Sequence, residues 1–372
     1  MTTDQIVSDA PQSSEIVAQS CPSYTRERFE VSALDPTCDP YWDKLAASHS
    51  DFTVFHSSAW MRVLSKTYRH NPLVLCWSHN GELVAALPLL EVATPFTGRR
   101  GVSLPFTDFC QPLFFSDCDP GIIFEDVRTF AQRRNWNHFE IRGRLTNEFP
   151  RRSSFTFHGH SLDLGNRAET LFDKFAAPVR RAIRKAERSG LSVKLSALEG
   201  SMHDFYRLHQ RTRRRHALPP QPFSFFRNIY REMIEPGWGF IVLAQHHSKS
   251  IAAAVFLHTQ RNAVFKFGAS DERYQDLRPN DLVMWSAIRH LVQNDLETLH
   301  LGRTSRHNEG LRRFKLAWGA TEKPLEYFRF DMRTNDWTVS RDRTAGFHNA
   351  LFARLPLILN RVIGRIVYPH LD

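Results

Sequence analysis

The feature that most constrains this chain is a pattern that occurs twice. In the first half, "NPLVLCWSHNGELVAALPLLEV" reads as strand, Asn80-Gly81 turn and strand, because apolar runs broken by Asn-Gly are a strong hairpin signal. In the second half, "GWGFIVLAQHHSKSIAAAVFLH" reads the same way around a polar turn at Ser248-Lys249. Each hairpin leads on to a helix and a strand that closes on Gly-Arg. The first such run is "DPGIIFEDVRTFAQRRNWNHFEIRGR", ending at Gly143-Arg144, and the second is "RPNDLVMWSAIRHLVQNDLETLHLGR", ending at Gly302-Arg303. Two copies of one α+β unit are expected, despite weak identity between them.

The second copy can be laid out in full. Strand Leu191–Ser196 precedes helices over Met202–His216 and Phe223–Ile234. Strands Phe240–Gln245, Ser250–His258 and Ala263–Gly268 follow. Then come helix Asp281–Gln293, strand Thr298–Leu301, helix Glu309–Trp318 and strand Leu325–Phe330. This order, β-α-α-β-β-β-α-β-α-β, is that of the GNAT acyltransferase fold, in which strands four and five diverge and the opening between them receives the acyl donor. The expected fold class is α+β: two tandem GNAT-like units with mixed sheets and a C-terminal amphipathic helical tail. The expected boundaries are a disordered leader over 1–26, units over 27–165 and 166–335, and the tail over 336–372.

Composition agrees with this layout and excludes several classes. With 372 residues, 42% of them hydrophobic, the chain can bury the cores of two units. No run approaches the ~18 apolar residues of a membrane-spanning helix, and the polar N-terminus has no apolar signal core. Cys21, Cys38, Cys76, Cys110 and Cys118 are scattered and odd in number, which argues against a disulfide framework or a zinc site and fits a reducing cytoplasm. The net charge of +10 favours an anionic partner such as nucleic acid, membrane headgroups or a phosphorylated substrate, or serves solubility alone.

One helix breaks its own pattern. In "HLGRTSRHNEGLRRFKLAWGA", Leu311, Phe314 and Trp318 follow the i, i+3, i+7 spacing of a buried stripe, and the i+4 position that should join them is Lys315. A lysine there either snorkels to the edge or carries an amine into a cleft. The stretch "LGRTSRHNEGLRRFKLAWGA", with "VRRAIRKAERSGLSV" at 179–193, resembles the FemAB/FemX-type aminoacyltransferases and their BioF2-like, or acetyltransferase-6, relatives. The resemblance covers roughly residues 30 to 335. It implies transfer of an amino acid or acyl group to an amine by direct attack, in cell-envelope or exopolysaccharide assembly. The coiled-coil arm of the Fem enzymes is missing between the helices at Met202–His216 and Phe223–Ile234, and the R/Q-x-x-G-x-G/A phosphate loop usual in acetyl-CoA-binding GNAT enzymes is replaced by "YQDLRPND". Acyl-CoA and aminoacyl-tRNA both remain open as donors, with no cofactor required and no metal implied. A tRNA-dependent Fem-type enzyme of peptidoglycan bridge synthesis and a non-catalytic ligand-binding scaffold are the rival readings.

The resemblance makes Lys315 the expected stabiliser of the oxyanion formed at the donor carbonyl, a role worth ~3–4 kcal/mol in comparable sites. His307 is a candidate general base, since the attacking amine must lose a proton. Asp108, in the Pro-bounded "LPFTDFCQPLF", is the candidate acceptor-side carboxylate, though a loop aspartate also forms turns. Arg303, at a strand end after Gly302, is a candidate substrate ligand. Arg180 and Arg184, on one face of the basic helix with Arg188, are candidates for a diphosphate. Asn308 suits an N-cap and Glu309 the first turn of its helix; with Arg313 they complete the expected substrate-binding set. The acceptor is expected to be a small-molecule, lipid-linked or nucleotide-linked amine. The tail "GFHNALFARLPLILNRVIGRIVYPHLD" repeats Leu351, Leu355, Leu359 and Ile363 with interspersed arginines and a break at Pro356. It is expected either to lie on the anionic inner face of the membrane or to pack on this chain or a second copy.

Overall fold

The computed structural model describes residues 29–145, 152–165, 167–339 and 357–370. The expected leader over 1–26, and Leu351, Leu355 and Pro356 of the tail, lie outside these residues. The strands are β1 (Glu30–Leu34), β2 (Asn71–His79), β3 (Glu82–Thr94), β4 (Gly98–Val102), β5 (Leu113–Phe114), β6 (His138–Arg142) and β7 (Phe155–Asp163). They continue with β8 (Ser192–Ser196), β9 (Gly239–His246), β10 (Lys249–His258), β11 (Asn262–Ser270), β12 (Thr298–Ser305), β13 (Thr321–Asp331) and β14 (Asp336–Trp337). All belong to one mixed sheet, in the order β1-β2-β3-β4-β6-β13-β7-β12-β11-β10-β9-β8, with β5 on β3 and β14 on β13.

The duplication is visible in that order. Both halves run as an antiparallel meander into a short parallel pair. In the first, β4 meets β6 over Arg100↔His138 to Val102↔Glu140; in the second, β11 meets β12 over Asn262↔Thr298 to Val264↔His300. After three pairs each, the strands part into a fork. At the centre the closing strands are exchanged: β7 lies on β12 of the second half, and β13 lies on β6 of the first. This welds the two expected units into one sheet, and the expected fold class of tandem GNAT-like units holds.

Helices cover both faces. They are α1 (Trp42–Ala47), α2 (Ser58–Tyr68), α3 (Pro120–Arg133), α4 (Ala168–Lys174), α5 (Ala177–Arg188), α6 (Glu199–Arg215), α7 (Phe223–Ile229), α8 (Pro279–Gln293), α9 (Glu309–Ala317) and α10 (Leu357–Val367). The starts carry local signals: Ser57 caps α2 and Asp119 caps α3, accepting from Trp60 N and Gly121 N, and Pro120 and Pro279 begin α3 and α8. One core joins α2, α6 and α7 across both halves through Trp60, Phe205, Phe225 and Phe226. On the other side, α3 covers the first half, and α4, α5 and α8 cover the second. The helix expected over Phe223–Ile234 is α-helical only to Ile229. It then widens into a π-turn over Tyr230–Ile234, which delivers Met233 and Ile234 to the core. The last strand starts at Thr321 rather than Leu325, because β7 pairs with it from Thr321 onward.

Candidate functional site

The site grows from one loop of the first half. Residues 103–112, between β4 and β5, turn through Leu104 and Phe106, both non-glycine residues at φ near +60°, a conformation that persists only where surroundings enforce it. Three side chains enforce it here. Arg142 donates from Nη1 to the Leu104 and Thr107 carbonyls at 3.0 and 2.8 Å. Tyr327 donates its hydroxyl to the Asp108 carbonyl at 2.6 Å. Lys266 donates to the Phe106 carbonyl at 2.7 Å. Arg142 is itself fixed by a buried ion pair with Glu140, 3.0 Å long.

Held this way, the loop carries Asp108 across to the fork of the second half. Its carboxylate lies 3.3 Å from the Lys266 ammonium on β11, and an added Cβ on Gly302, at the fork of β12, would stand 3.8 Å from it. The Lys266 side chain is only 5% exposed and lies 4.9 Å from the Phe55 ring centre and 5.5 Å from those of Trp60 and Phe267. Burial pulls the Lys266 ammonium below lysine's usual range, against Asp108. Burial alone would raise Asp108, but Lys266, Arg303 and His300 outweigh it and hold the carboxyl at about 2. Asp108 is therefore a carboxylate, too weak a base to strip a proton at neutral pH.

Lys315 approaches the same fork from α9. Its Nζ donates to the carbonyls of Gly302 at 2.7 Å and Arg303 at 3.1 Å, engaging two of its three N–H bonds. Burial lowers its pKa to about 8, with Asp108 pulling the other way. The helix is clamped by Arg312, which reaches Glu322 on β13 through Nε and Nη2 at 2.7 and 3.1 Å. His158 and His160 on β7 hold the same carboxylate. The stripe anticipated on α9 is altered: Lys315 and Trp318 are buried, Phe314 is half-buried and Leu311 is exposed. Only the last turn of this short helix packs inward.

His300 completes the buried group. Its Nδ1 accepts from Gly302 N at 3.0 Å and its ring lies 4.4 Å from Phe109. Burial lowers its pKa to about 4, so the imidazole is neutral near pH 7. Arg303 lies over Phe157 at 4.6 Å and donates to the Tyr327 hydroxyl at 3.2 Å.

The other anticipated residues divide. Asn308 caps α9, its Oδ1 accepting from Leu311 N at 3.1 Å, and Glu309 meets Arg312 in the first turn. Arg313 is exposed and donates to the Glu309 carbonyl. His307 is exposed in the turn before α9 and is not part of the buried group. Arg180 donates to the Asp173 carbonyl and Arg184 lies over Phe172. The helix instead turns Arg181 and Lys185 toward a cavity of about 390 Å³, shared with Arg278 and Asp281 at the start of α8 and Phe314 of α9. Helical spacing gave two basic faces, and only packing selects between them. Lys266 and His300 went unassigned in the sequence; the signal for Lys266 was a lysine inside the apolar strand "NAVFKFGAS".

A second cavity of about 480 Å³ opens beside the first fork. Phe109, Gln111, Arg142, Gly143, Arg144 and Tyr327 are among its walls. Tyr327 and Phe109 join it to the Asp108 cluster.

Residues 173–316 match the family described as "Acetyltransferase (GNAT) domain". No curated protein matches the chain. Among solved structures, FemX superposes over 80% of this chain and 96% of its own, at 13% identity and a TM-score of 0.63. A tandem GNAT protein from the clavulanic acid biosynthesis pathway covers 82% and 99%, at 12% identity and 0.54. The C-terminal domain of a putative lysylphosphatidylglycerol synthetase from Agrobacterium fabrum covers 77% and 89%, at 16% identity and 0.53. The second half thus matches a GNAT acetyltransferase domain over residues 173–316, and the chain as a whole shares the fold of FemX and of a tandem GNAT protein. Its relatives in fold include FemX.

Proposed function

We propose that this protein is a cytoplasmic N-acyltransferase that passes an acyl or aminoacyl group directly to an amine on a cell-envelope or exopolysaccharide precursor. The observation that carries this reading is the second fork. A buried lysine with an N–H to spare, Lys315, shares it with a carboxylate delivered from the other half, Asp108. When an amine attacks the donor carbonyl, negative charge develops on the carbonyl oxygen, and the remaining Lys315 N–H stabilises it. Asp108, fixed as a carboxylate, accepts an N–H of the incoming amine and orients it. Collapse of the intermediate expels the donor's leaving group, which takes up the proton the amine gives up, with no covalent enzyme intermediate.

Arg181, Lys185 and Arg278, beside the N-terminus of α8, suit a phosphate-bearing donor. The cavity beside Tyr327 and Arg142 suits the acceptor. The link from α6 to α7 is short, and the absence of a coiled-coil arm there weighs against a tRNA donor.

The test is a donor panel. Purified protein is incubated with an envelope extract from a deletion strain and either labelled acyl-CoA species or labelled aminoacyl-tRNA, with and without RNase. Transfer that Lys315→Met abolishes supports the reading, and RNase sensitivity assigns the donor. Normal product formation in a strain carrying folded Lys315→Met refutes it in favour of a scaffold.

A further inference from the structure

The C-terminal helix has two faces with opposite characters. Asn360, Gly364 and Tyr368 recur at four-residue steps and are buried. They form a tight seat: a Cβ on Gly364 would stand 2.1 Å from the Pro220 carbonyl oxygen, so only glycine permits this approach. The Tyr368 hydroxyl donates to the Pro219 carbonyl at 3.1 Å and accepts from Arg213 at 2.7 Å. Beyond it, the His370 carbonyl accepts from Arg100 at 3.0 Å. These contacts anchor α10 and the turn after it to α6 and its following link in the second half and to β4 in the first.

The opposite face is left bare. Val362 and Ile366 are 49% and 59% exposed, and at 100° per residue they stand about 200° around the helix from Asn360 and Gly364. Arg361 and Arg365, also exposed, form the adjoining row, with Arg361 hydrogen-bonded to Tyr206 of α6. The helix sequence LILNRVIGRIV contains no acidic residue. Next to its end, the tip of the β3–β4 turn holds Phe96, 82% exposed, its ring centre 5.0 Å from that of His370 in an edge-on contact. On α6, Arg214 is exposed beside the Arg213 that grips Tyr368. No described helix is long and apolar enough to cross a membrane.

We propose that this edge docks on an anionic bilayer surface, with Val362, Ile366 and Phe96 entering the headgroup boundary and Arg361, Arg365 and Arg214 meeting lipid phosphates. Charge decides between occupants. A second copy of a chain with net charge +10 would bring like-charged arginine rows together, whereas an anionic leaflet complements them. The inference is independent of the acyl-transfer reading, because it concerns an edge remote in sequence from Lys315 and is read without any activity.

The test is flotation of the full chain with vesicles of phosphatidylcholine alone or with about one-third phosphatidylglycerol. Binding is expected only to the anionic vesicles and to fall sharply at high salt. Arg361→Gln with Arg365→Gln should weaken it about 10–30-fold, from about 1 kcal/mol per arginine at such a surface. Val362→Asp with Ile366→Asp should abolish it. An unchanged melting temperature confirms that each variant remains folded, and Phe96→Ser gives a second variant outside the helix. Equal binding to neutral vesicles, no binding to either, or binding insensitive to all three variants overturns the proposal. So does a concentration-dependent dimer that the same substitutions dissolve.

Discussion

The two forks of the sheet are laid out alike and filled differently. Each opens after three parallel pairs and carries a Gly-Arg pair beyond them, just past the end of β6 in the first and inside β12 in the second. In the first, the gap is filled by the chain's own backbone: Cys110 N bonds the Arg142 carbonyl at 3.1 Å, and a Cβ on Gly143 would meet Gln111 Cβ at 2.4 Å. In the second, nothing lies within 3.8 Å of the same position on Gly302, and the surroundings are charged. One loop serves both, plugging the first fork with Cys110 and Gln111 and furnishing the second with Asp108. A duplicated unit can thus keep its fold while one copy becomes the other's scaffold.

The comparison makes graded predictions. The largest effect is expected at Asp108→Asn, which strands a buried Lys266 ammonium; a loss of about 3–5 kcal/mol in urea unfolding is expected. Asp108→Asn combined with Lys266→Met should recover much of it. If the single substitution is neutral, the second fork is not electrostatically built.

Lys315→Met is expected to lower the transfer rate about 100–1000-fold. Its pH dependence adds a sign. The proposed oxyanion role requires a protonated Lys315, so the wild-type rate should fall above about pH 8. Stability should move the other way. Between about 8 and lysine's usual 10.5, the unfolded chain holds a proton that the folded chain does not, so stability rises with pH by up to about 1.4 kcal/mol per unit. A rate profile with no limb near 8 would remove Lys315 from the chemistry.

Matched glycine substitutions read the forks directly. Gly143→Ala combines a clash with a φ of 145° and should cost about 3 kcal/mol. Gly302→Ala carries only the strain of φ 76° and should cost about 1 kcal/mol. Equal losses in thermal unfolding would mean that the second fork is as full as the first. The smallest effect is expected at Asn308→Ala, about 1 kcal/mol from a lost N-cap. Activity should fall with it only if Lys315 depends on the first turn of α9 for its placement.

Much of this could be read beforehand. The hairpins, the helix-to-strand runs and the two Gly-Arg ends follow from short-range periodicity and turn chemistry, and they carried the fold class. Lys315 was legible because an amine interrupted an apolar spacing. Lys266 obeyed the same logic within a strand, but a period of two over "NAVFKFGAS" is too short for one lysine to stand out. Asp108 could be noticed but not placed: its partner is 158 residues away, and its position depends on Arg142, Tyr327 and Lys266 gripping a loop in left-handed turns. The choice of Arg181 and Lys185 over Arg180 and Arg184 depends on the rotation of α5 against α8. Local sequence does not encode that rotation.

The exchange of β7 and β13 bears on how the protein is made. On the ribosome the first half is complete by about residue 145, yet the strand that covers β6 is Thr321–Asp331. Until that strand emerges, β6 presents an open edge of unpaired backbone, a ready template for misplaced pairing. The early chain must therefore wait, protected, for the end of its own synthesis, and a fragment stopped at the midpoint would inherit the exposed edge for good.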